Sequence, residues 1–513
     1  MEINVRKGGD EVDRPIYPGK KEVFLKREDI KKSNSLFENF HGKMNHGSRR
    51  LKMSKYKRYV RAAVLGIIAA SIVGLSSYMV WSQEKEFAGV TLDVQVHAGH
   101  KQLEPIWERI PEFERQTGMK INLIRAPWAD IYPKVLRDVK LGGHKYDIVE
   151  VSEAMSRTMI PYVAPIGPLL KEEGVDVKKW INQWSQFSRQ YFIYEGEVVF
   201  YPFYTGAQTG YYRKSLLEDP KEKEAFKKQF GYELQPPRTM QELLDIARFF
   251  TRDLDGDGET DLWGLVIPGD WDAAENIFED EVFRAGLRLF DEKFNWMWGP
   301  AHPENNETIE KIAQYNQDLV RKWKVTPSAI LGMGDIEAIQ WYLDGRAAMV
   351  MTWLYFAWKD VISAERISQI GETGDFLFPS WKSGAGGFGS CWVRAINKNT
   401  PDKKAAFEFL KWANSDENIL LALREGPGAF VPASIAAAKI GADEELIPPA
   451  CSKSFEVLEW VAVRSVPVVE SCRNILRRYH ESLLMGQITP KEFVTRTGKE
   501  AQQLLKEAGV IKD

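Results

Sequence analysis

Between residues 90 and 151 the hydrophobic pattern changes its period four times. Residues 90–96, VTLDVQV, alternate apolar and polar side chains, the two-residue period of a strand. Residues 103–117 follow a helical period and stop at Gly118, a C-cap residue. A short strand comes next at 120–124, then a second helix at 130–141 closed by Gly142 and Gly143. Residues 146–151, YDIVEV, read as a third strand. Parallel neighbours cannot be joined by a tight turn, because each pair needs a crossover, usually a helix. This order and spacing therefore predict βαβ units and a mostly parallel sheet in an α/β protein.

The chain is 513 residues long, too many for one hydrophobic core. Chains of this size divide into units of roughly 100–200 residues. Beyond residue 220 helical patterns dominate, at 221–230, 240–253, 306–323, 335–343, 402–414 and 489–508. Thr239 and Glu242 have the spacing of a capping box at the head of the second of these. There is no internal repeat and no long low-complexity linker. The expected architecture is two α/β lobes carrying many helices.

Residues 62–81, AAVLGIIAASIVGLSSYMVW, hold no charge. As a helix they would span about 30 Å, the thickness of the hydrocarbon core. Arg49, Arg50, Lys52, Lys55, Lys57, Arg58 and Arg61 precede the run, and Glu84, Lys85 and Glu86 follow it. The positive-inside rule then places a basic cytoplasmic tail at 1–61, a signal-anchor at 62–83 and everything later outside the cell. A cleaved signal peptide starting at Met53 is the competing reading, with Gly74 and Ser76 as small residues before a cut. The apolar run exceeds the usual length of such peptides, which favours an uncleaved anchor. The remaining body is acidic, since the basic excess sits in the tail. That excludes a nucleic-acid partner, which needs a concentrated basic face. Three cysteines, Cys391, Cys451 and Cys472, permit at most one disulfide. Cys451 with Cys472 and free buried thiols both fit the spacing.

Several segments, in order, resemble the sugar-binding type of bacterial extracellular solute-binding protein, which serves ABC importers. The opening strand and the helix ending FERQTGMKINL are similar to that family's first strand, helix and second strand. KYDIVEV resembles its third strand, with Tyr146 where proline is usual. YPFYTGAQTGYYRKSLLE resembles the crossing from the first lobe to the second. DLDGDGETDLWGL resembles an acidic glycine loop, and YLDGRAAMVMTWLY an alanine-methionine segment that ends in tryptophan. GGFGSCWVRAINKNTPDKKAAFEFLKWANS resembles the return crossing and its helix. The resemblance implies a two-lobe periplasmic-binding-protein-like fold of type II, preceded by the transmembrane helix. It further implies discontinuous lobes, at 90–205 with 392–432 and at 206–391 with 433–513. A ligand would bind in the cleft between them, and closure would bury it.

Sugars present flat apolar faces ringed by hydroxyls, so a site needs aromatic platforms and planar polar groups. Trp128, Asp130 and Tyr132 provide that mixture at a loop-to-helix junction. Trp353 and Tyr355 follow the alanine-methionine segment, Phe388 and Trp392 flank glycines, and Trp271 stands between Asp270 and Asp272. Glu153 ends the third strand at the sheet's carboxyl edge, where open α/β sheets bind ligands. Tyr204, in the crossing segment, completes the ligand set. Each aromatic residue could equally pack inside a lobe.

The loop Asp253, Asp255, Asp257, Glu259 and Asp261 places oxygen donors at alternate positions with glycines between. That pattern suits one hard cation, Ca2+, with Glu259 offering its carbonyl. Gly264 stands where an EF-hand would have glutamate, so the loop is not an EF-hand. It resembles the calcium loop of alginate-oligosaccharide-binding members of the family. A metal-free acidic turn is the plainer alternative.

Enzyme signatures are missing. There is no P-loop, no GxSxG and no HExxH pair among the seven histidines. Gly384, Gly386 and Gly389 satisfy GxGxxG but lack the flanking strand and helix, and read as a loop at the cleft. Glu279, Asp280 and Glu281 are consecutive on a helix and so diverge, which suggests a solvated face and no glycosidase pair. The expectation is carbohydrate capture for an ABC importer, with permease subunits as partners. A membrane-tethered sensor or scaffold of the same fold is the alternative.

Overall fold

The computed structural model describes residues 85–512, apart from 271–272, 383–386, 388 and 458–467. The basic tail and the anchor expected at 62–83 lie outside the described residues. No described helix is long and apolar enough to cross a membrane.

In chain order the strands are β1 (Thr91–His97), β2 (Lys120–Ala126), β3 (Ile148–Ser152), β4 (Val163–Ala164), β5 (Ile193–Tyr194), β6 (Glu197–Val198) and β7 (Tyr201–Ala207). They continue as β8 (Thr209–Arg213), β9 (Trp263–Val266), β10 (Ala347–Thr352), β11 (Thr373–Leu377), β12 (Gly389–Asn397) and β13 (Val431–Pro432). The first sheet has the order β13-β7-β12-β3-β1-β2, with β4 on β12. The second has the order β11-β8-β10-β9.

The first sheet is mixed, not mostly parallel. Only β1 runs parallel to its neighbours β2 and β3. β12 is antiparallel to β3, β4 and β7, and β13 is antiparallel to β7. The cause is the two crossings. The chain leaves the first sheet through β7 into β8 with only Gln208 between, and it returns along β12. A leaving strand and a returning strand lie head to tail.

The helix expected over 103–117 is three pieces, a 3-10 turn at Lys101–Leu103 and helices at Glu104–Glu108 and Ile110–Thr117. Pro105 and Pro111 each sit in a first turn, where a missing N–H costs nothing, and Pro111 could not continue the preceding helix. Gly118 caps the last piece at φ 85°, its N–H reaching Glu114. The capping box of Thr239 and Glu242 forms as expected.

Among the described residues three apolar cores result. Val94, Val96, Ile148, Val151, Phe203 and Ile396 anchor the first, around the first sheet. Ile246, Phe250, Leu265 and Val350 anchor the second. The third packs helices against the non-helical segment 289–298 and holds Phe278, Trp296, Trp298, Leu476 and Phe493. Helices Ile435–Asp443 and Pro449–Val457 add Ala437 and Cys451 to the first core. All three cysteines are free and buried, so the Cys451–Cys472 pair does not form. The two thiols belong to different cores.

Glu279, Asp280 and Glu281 are buried, which corrects the expectation of a solvated face. Their helix, Ala273–Arg284, packs on Val469–Leu484, and each carboxyl meets a partner. Asp280 accepts from Arg284 at 3.0 Å, Glu281 from Asn316, and Glu279 lies 3.6 Å from Arg473.

Candidate ligand cleft

The carboxyl ends of β1 and β3 and the crossing strands β7 and β12 meet the end of β10 across a cleft of about 220 Å³. The first sheet contributes His97, His100, Glu153, Tyr204 and Trp392. The end of β10 contributes Trp353 and Tyr355, and helices on that side contribute Asn276, Asp335 and Arg473. The cleft thus draws on segments from residue 97 to residue 473.

Each aromatic residue is held by its element. Tyr204 on β7 and Trp392 on β12 are register partners, and their rings lie 6.3 Å apart at 14°. Trp392 also stands edge-on to His100 at 4.4 Å. Trp353 leaves β10, a strand buried at every position, and meets Tyr355 at 6.2 Å. The Tyr355 ring occupies the space above Gly206, where a Cβ would come within 2.6 Å of it. That glycine lets a residue from the turn after β10 reach the floor of the first sheet.

A polar chain runs beneath these rings. Glu150, sealed on β3, accepts from the His97 N–H at 2.8 Å and lies 3.0 Å from His100 Nδ1. Its other oxygen accepts from Arg394 at 2.9 and 3.2 Å. Burial alone would raise this carboxyl, but Arg394 and His100 outweigh it and hold it down at about 2. The far nitrogen of His100 is 3.0 Å from the Tyr204 hydroxyl. His97 is pushed down to about 4, chiefly by burial and then by His100. Glu153 accepts the Cys391 N–H at 3.2 Å.

On the opposite wall Arg473 donates to both oxygens of Glu275 and to Asn276 at 2.8 Å. The carboxylates of Glu275, Glu470 and Glu279 outweigh burial and keep the guanidinium protonated. Asp335 accepts from Thr352 at the end of β10. The cleft therefore offers aromatic faces and buried, pre-ordered hydrogen-bonding groups.

Of the residues singled out in the sequence, the structure brings Glu153, Tyr204, Trp353, Tyr355 and Trp392 together. Asp130 does not line this cleft and pairs with Lys134 at 2.7 Å on the helix Trp128–Lys140. Trp128 opens that helix, its side chain lying outside the description, as do Trp271 and Phe388. His97, His100, Asn276, Asp335 and Arg473 were missed. The rule that found Glu153, ligand groups at strand carboxyl ends, also points to His97 and His100. Nothing local marks Asn276 or Arg473, which sit within helices.

Far along the chain, the acidic loop brings carboxylate oxygens of Asp253, Asp255 and Asp261 within 4.8 Å of one another. Gly256 and Gly258 adopt φ 82° and 93°, which wraps the loop, and their N–H groups donate to Asp253. Those bonds hold Asp253 below the usual carboxylate range. Asp257 instead accepts the Glu259 N–H at 2.8 Å.

Known proteins share this fold. The maltose-bound MalE3 of T. maritima has 20% identity and TM-score 0.66, over 81% of this chain and 100% of that one. A ribitol-bound ABC transporter solute-binding protein from Agrobacterium radiobacter K84 has 19% identity and TM-score 0.65, over 82% and 100%. The maltotriose-bound MalE domain of Bdellovibrio bacteriovorus has 18% identity and TM-score 0.62, over 81% and 100%. At these identities the likeness is one of fold, the two-lobed binding-protein fold. Residues 98–419 match the family described as bacterial extracellular solute-binding protein. With more than half of its length matched, the chain belongs to that family.

Proposed function

We propose that the chain captures a carbohydrate in the cleft and delivers it to an ABC importer. The observation that carries this reading is the pairing of aromatic faces with buried polar groups on both walls, Tyr204 and Trp392 against Trp353 and Tyr355. Stacked rings suit sugar faces, and fixed donors and acceptors suit hydroxyls. Solved proteins of the same fold, bound to maltose, ribitol and maltotriose, support the choice of ligand class. The role is binding without chemistry. The two sheets would close over the ligand, bending where Gln208 joins β7 to β8.

The reading keeps residues 62–83 as a membrane anchor that tethers the binding unit outside the cell, near the permease. It also assigns Ca2+ to the acidic loop, on Asp253, Asp255 and Asp261, with Asp257 and the Glu259 carbonyl completing the shell. The cation would neutralise converging carboxylates and stiffen the turn, remote from the ligand.

A thermal-shift series with mono- and oligosaccharides and sugar alcohols tests the reading. A cognate ligand at ~100 times its Kd adds ~2.7 kcal/mol to stability. Stabilisation by a peptide or amino acid, with none by any carbohydrate or polyol, would overturn the ligand class.

A further inference from the structure

His97 and His100 stand side by side at the carboxyl end of β1, their rings 4.6 Å apart. Their hydrogen bonds point in opposite senses. His97 Nδ1 accepts the Gly99 N–H at 3.0 Å. A ring nitrogen that accepts carries no proton, so the neutral ring holds its proton on Nε2. The low titration point of His97, about 4, keeps that ring neutral at pH 7.

His100 is arranged the other way. Its Nδ1 faces Glu150 and its Nε2 faces the Tyr204 hydroxyl, each at 3.0 Å. An ionised carboxylate only accepts. Arg394 and the His97 N–H already donate to Glu150, which fixes it as an acceptor. A ring with a single proton therefore carries it on Nδ1, and its Nε2 is bare. The contact with Tyr204 then needs the phenol as donor. A phenol has one proton. Once it points at His100, the oxygen offers only lone pairs to its other neighbours, Tyr355 and the cleft.

We infer that Glu150 is a positioning residue for the ligand: by fixing the proton on His100 Nδ1 it makes the Tyr204 oxygen an acceptor toward the cleft, beside a donor at His97 Nε2. Glu150 does this from below the cleft, through His100. A hydroxyl-bearing ligand matches such a pair, because each hydroxyl both donates and accepts. The inference rests on the reading of the cleft as the ligand site, but its proton positions do not depend on which ligand binds.

Those positions are measurable by NMR on the full chain labelled with 15N at histidine. Couplings from the ring protons to the ring nitrogens show which nitrogen is protonated. His97→Gln and His100→Gln supply the assignments. The expected result is Nε2–H on His97 and Nδ1–H on His100. In Glu150→Gln the amide can donate to Nδ1, and His100 should change to Nε2–H. A wild-type His100 with a proton on Nε2, alone or together with Nδ1, overturns the inference. So does an Nδ1–H tautomer that persists in a folded Glu150→Gln. Tyr204→Phe is the second variant, since it leaves Arg394 paired. It should keep the His100 tautomer and weaken maltose binding by about tenfold, and unchanged affinity would count against an acceptor role. Absence of maltose binding by the wild type would weigh on the carbohydrate reading, and the NMR measurement would still decide this one.

Discussion

Arg394 and Glu150 are direct cross-strand partners on β12 and β3, and both are sealed from solvent. The guanidinium also lies over the Phe203 ring at 4.0 Å. A charge pair taken out of water is costly to break from one side, because the survivor is left buried and alone. Arg394→Met should therefore destabilise by ~3–5 kcal/mol. The linkage with pH has a definite sign. Glu150 titrates at about 2 in the fold against 4.5 in a free chain, so its contribution is complete above pH 4.5. It is lost as the pH falls from 4.5 toward about 2, a span worth roughly 3 kcal/mol. Urea melts between pH 2 and 6 should show this acid limb in the wild type and lack most of it in Glu150→Gln. Equal limbs in both would remove Glu150 from the account.

Glu281 behaves in the opposite sense. It is buried beside Asp280, and burial pushes its carboxyl up to about 8. A raised group stabilises while both states are protonated, below pH 4.5, and the contribution disappears as the pH rises through about 8. The wild type should lose roughly 2–5 kcal/mol over that window from this group alone. Glu281→Gln keeps a neutral, hydrogen-bonding side chain next to Asn316. It should match the wild type near pH 4.5 and exceed it at pH 8.5, by denaturant midpoint at each pH. A variant less stable at both values would show that the carboxyl is ionised in the fold.

Gly206 makes room for a ligand-facing ring. Its backbone is not in the left-handed region, so alanine there is a question of space alone. The added Cβ would stand 2.6–2.8 Å from the ring and hydroxyl of Tyr355. One of the two must give way, at a cost of ~1–3 kcal/mol. The ring is the freer of the two, since Gly206 is fixed by its pairing with Ser390. Gly206→Ala should thus weaken ligand binding more than Tyr355→Phe does, by calorimetric titration. Binding equal to the wild type would mean that the ring does not take part.

How far the sequence reached depends on the range of each signal. Gly118, the Thr239 capping box and the helix Asp335–Leu343 were legible because caps and helical periods act over a few residues. Glu153, Trp353 and Tyr355 were legible because strand ends and a recognisable segment carry them. Arg473 was not, because its meaning comes from Glu275, 198 residues away. For the same reason Glu279, Asp280 and Glu281 read as solvated. A run of acids in one helix looks wet until the basic helix that covers it is known. The antiparallel β12 was hidden likewise, since strand direction follows from where the chain re-enters a sheet and not from its own residues.

The acidic loop should respond to calcium. Asp255 and Asp261 bring oxygens close to Asp253, and like charges at that distance repel unless a cation joins them. Asp253 is tied to the backbone of Gly256 and Gly258, so replacing it would damage the turn itself. Asp255→Ala with Asp257→Ala is the milder variant, since each of these accepts a single backbone N–H, from Asp257 and from Glu259, against two at Asp253. The double variant should lose the increase in melting temperature that calcium gives the wild type, and its deficit in chelator should be smaller than its deficit in calcium. An equal deficit in calcium and in chelator would identify a metal-free turn.

Trp353 decides between a binding and a packing role on the second wall. It leaves the fully buried β10, so its backbone is pre-ordered and little entropy is lost when it meets a ligand. It is 8% exposed and that exposure opens into the cleft, whereas Trp296 is 0% exposed in the third core. The two residues make a matched pair of truncations. Trp296→Ala should cost the ~3–5 kcal/mol typical of a core aromatic and leave the ligand affinity of the folded protein unchanged. Trp353→Ala removes a ring that contacts Tyr355 on one side and faces the cleft on the other. Its stability loss should be smaller than that of Trp296→Ala, and its binding loss should reach ~2 kcal/mol or more, as for aromatic hot spots. Denaturant melts and calorimetric titration on the same two variants separate the outcomes. If Trp353→Ala binds like the wild type but unfolds as readily as Trp296→Ala, the indole belongs to the core and the stacking platform must be sought in Trp392.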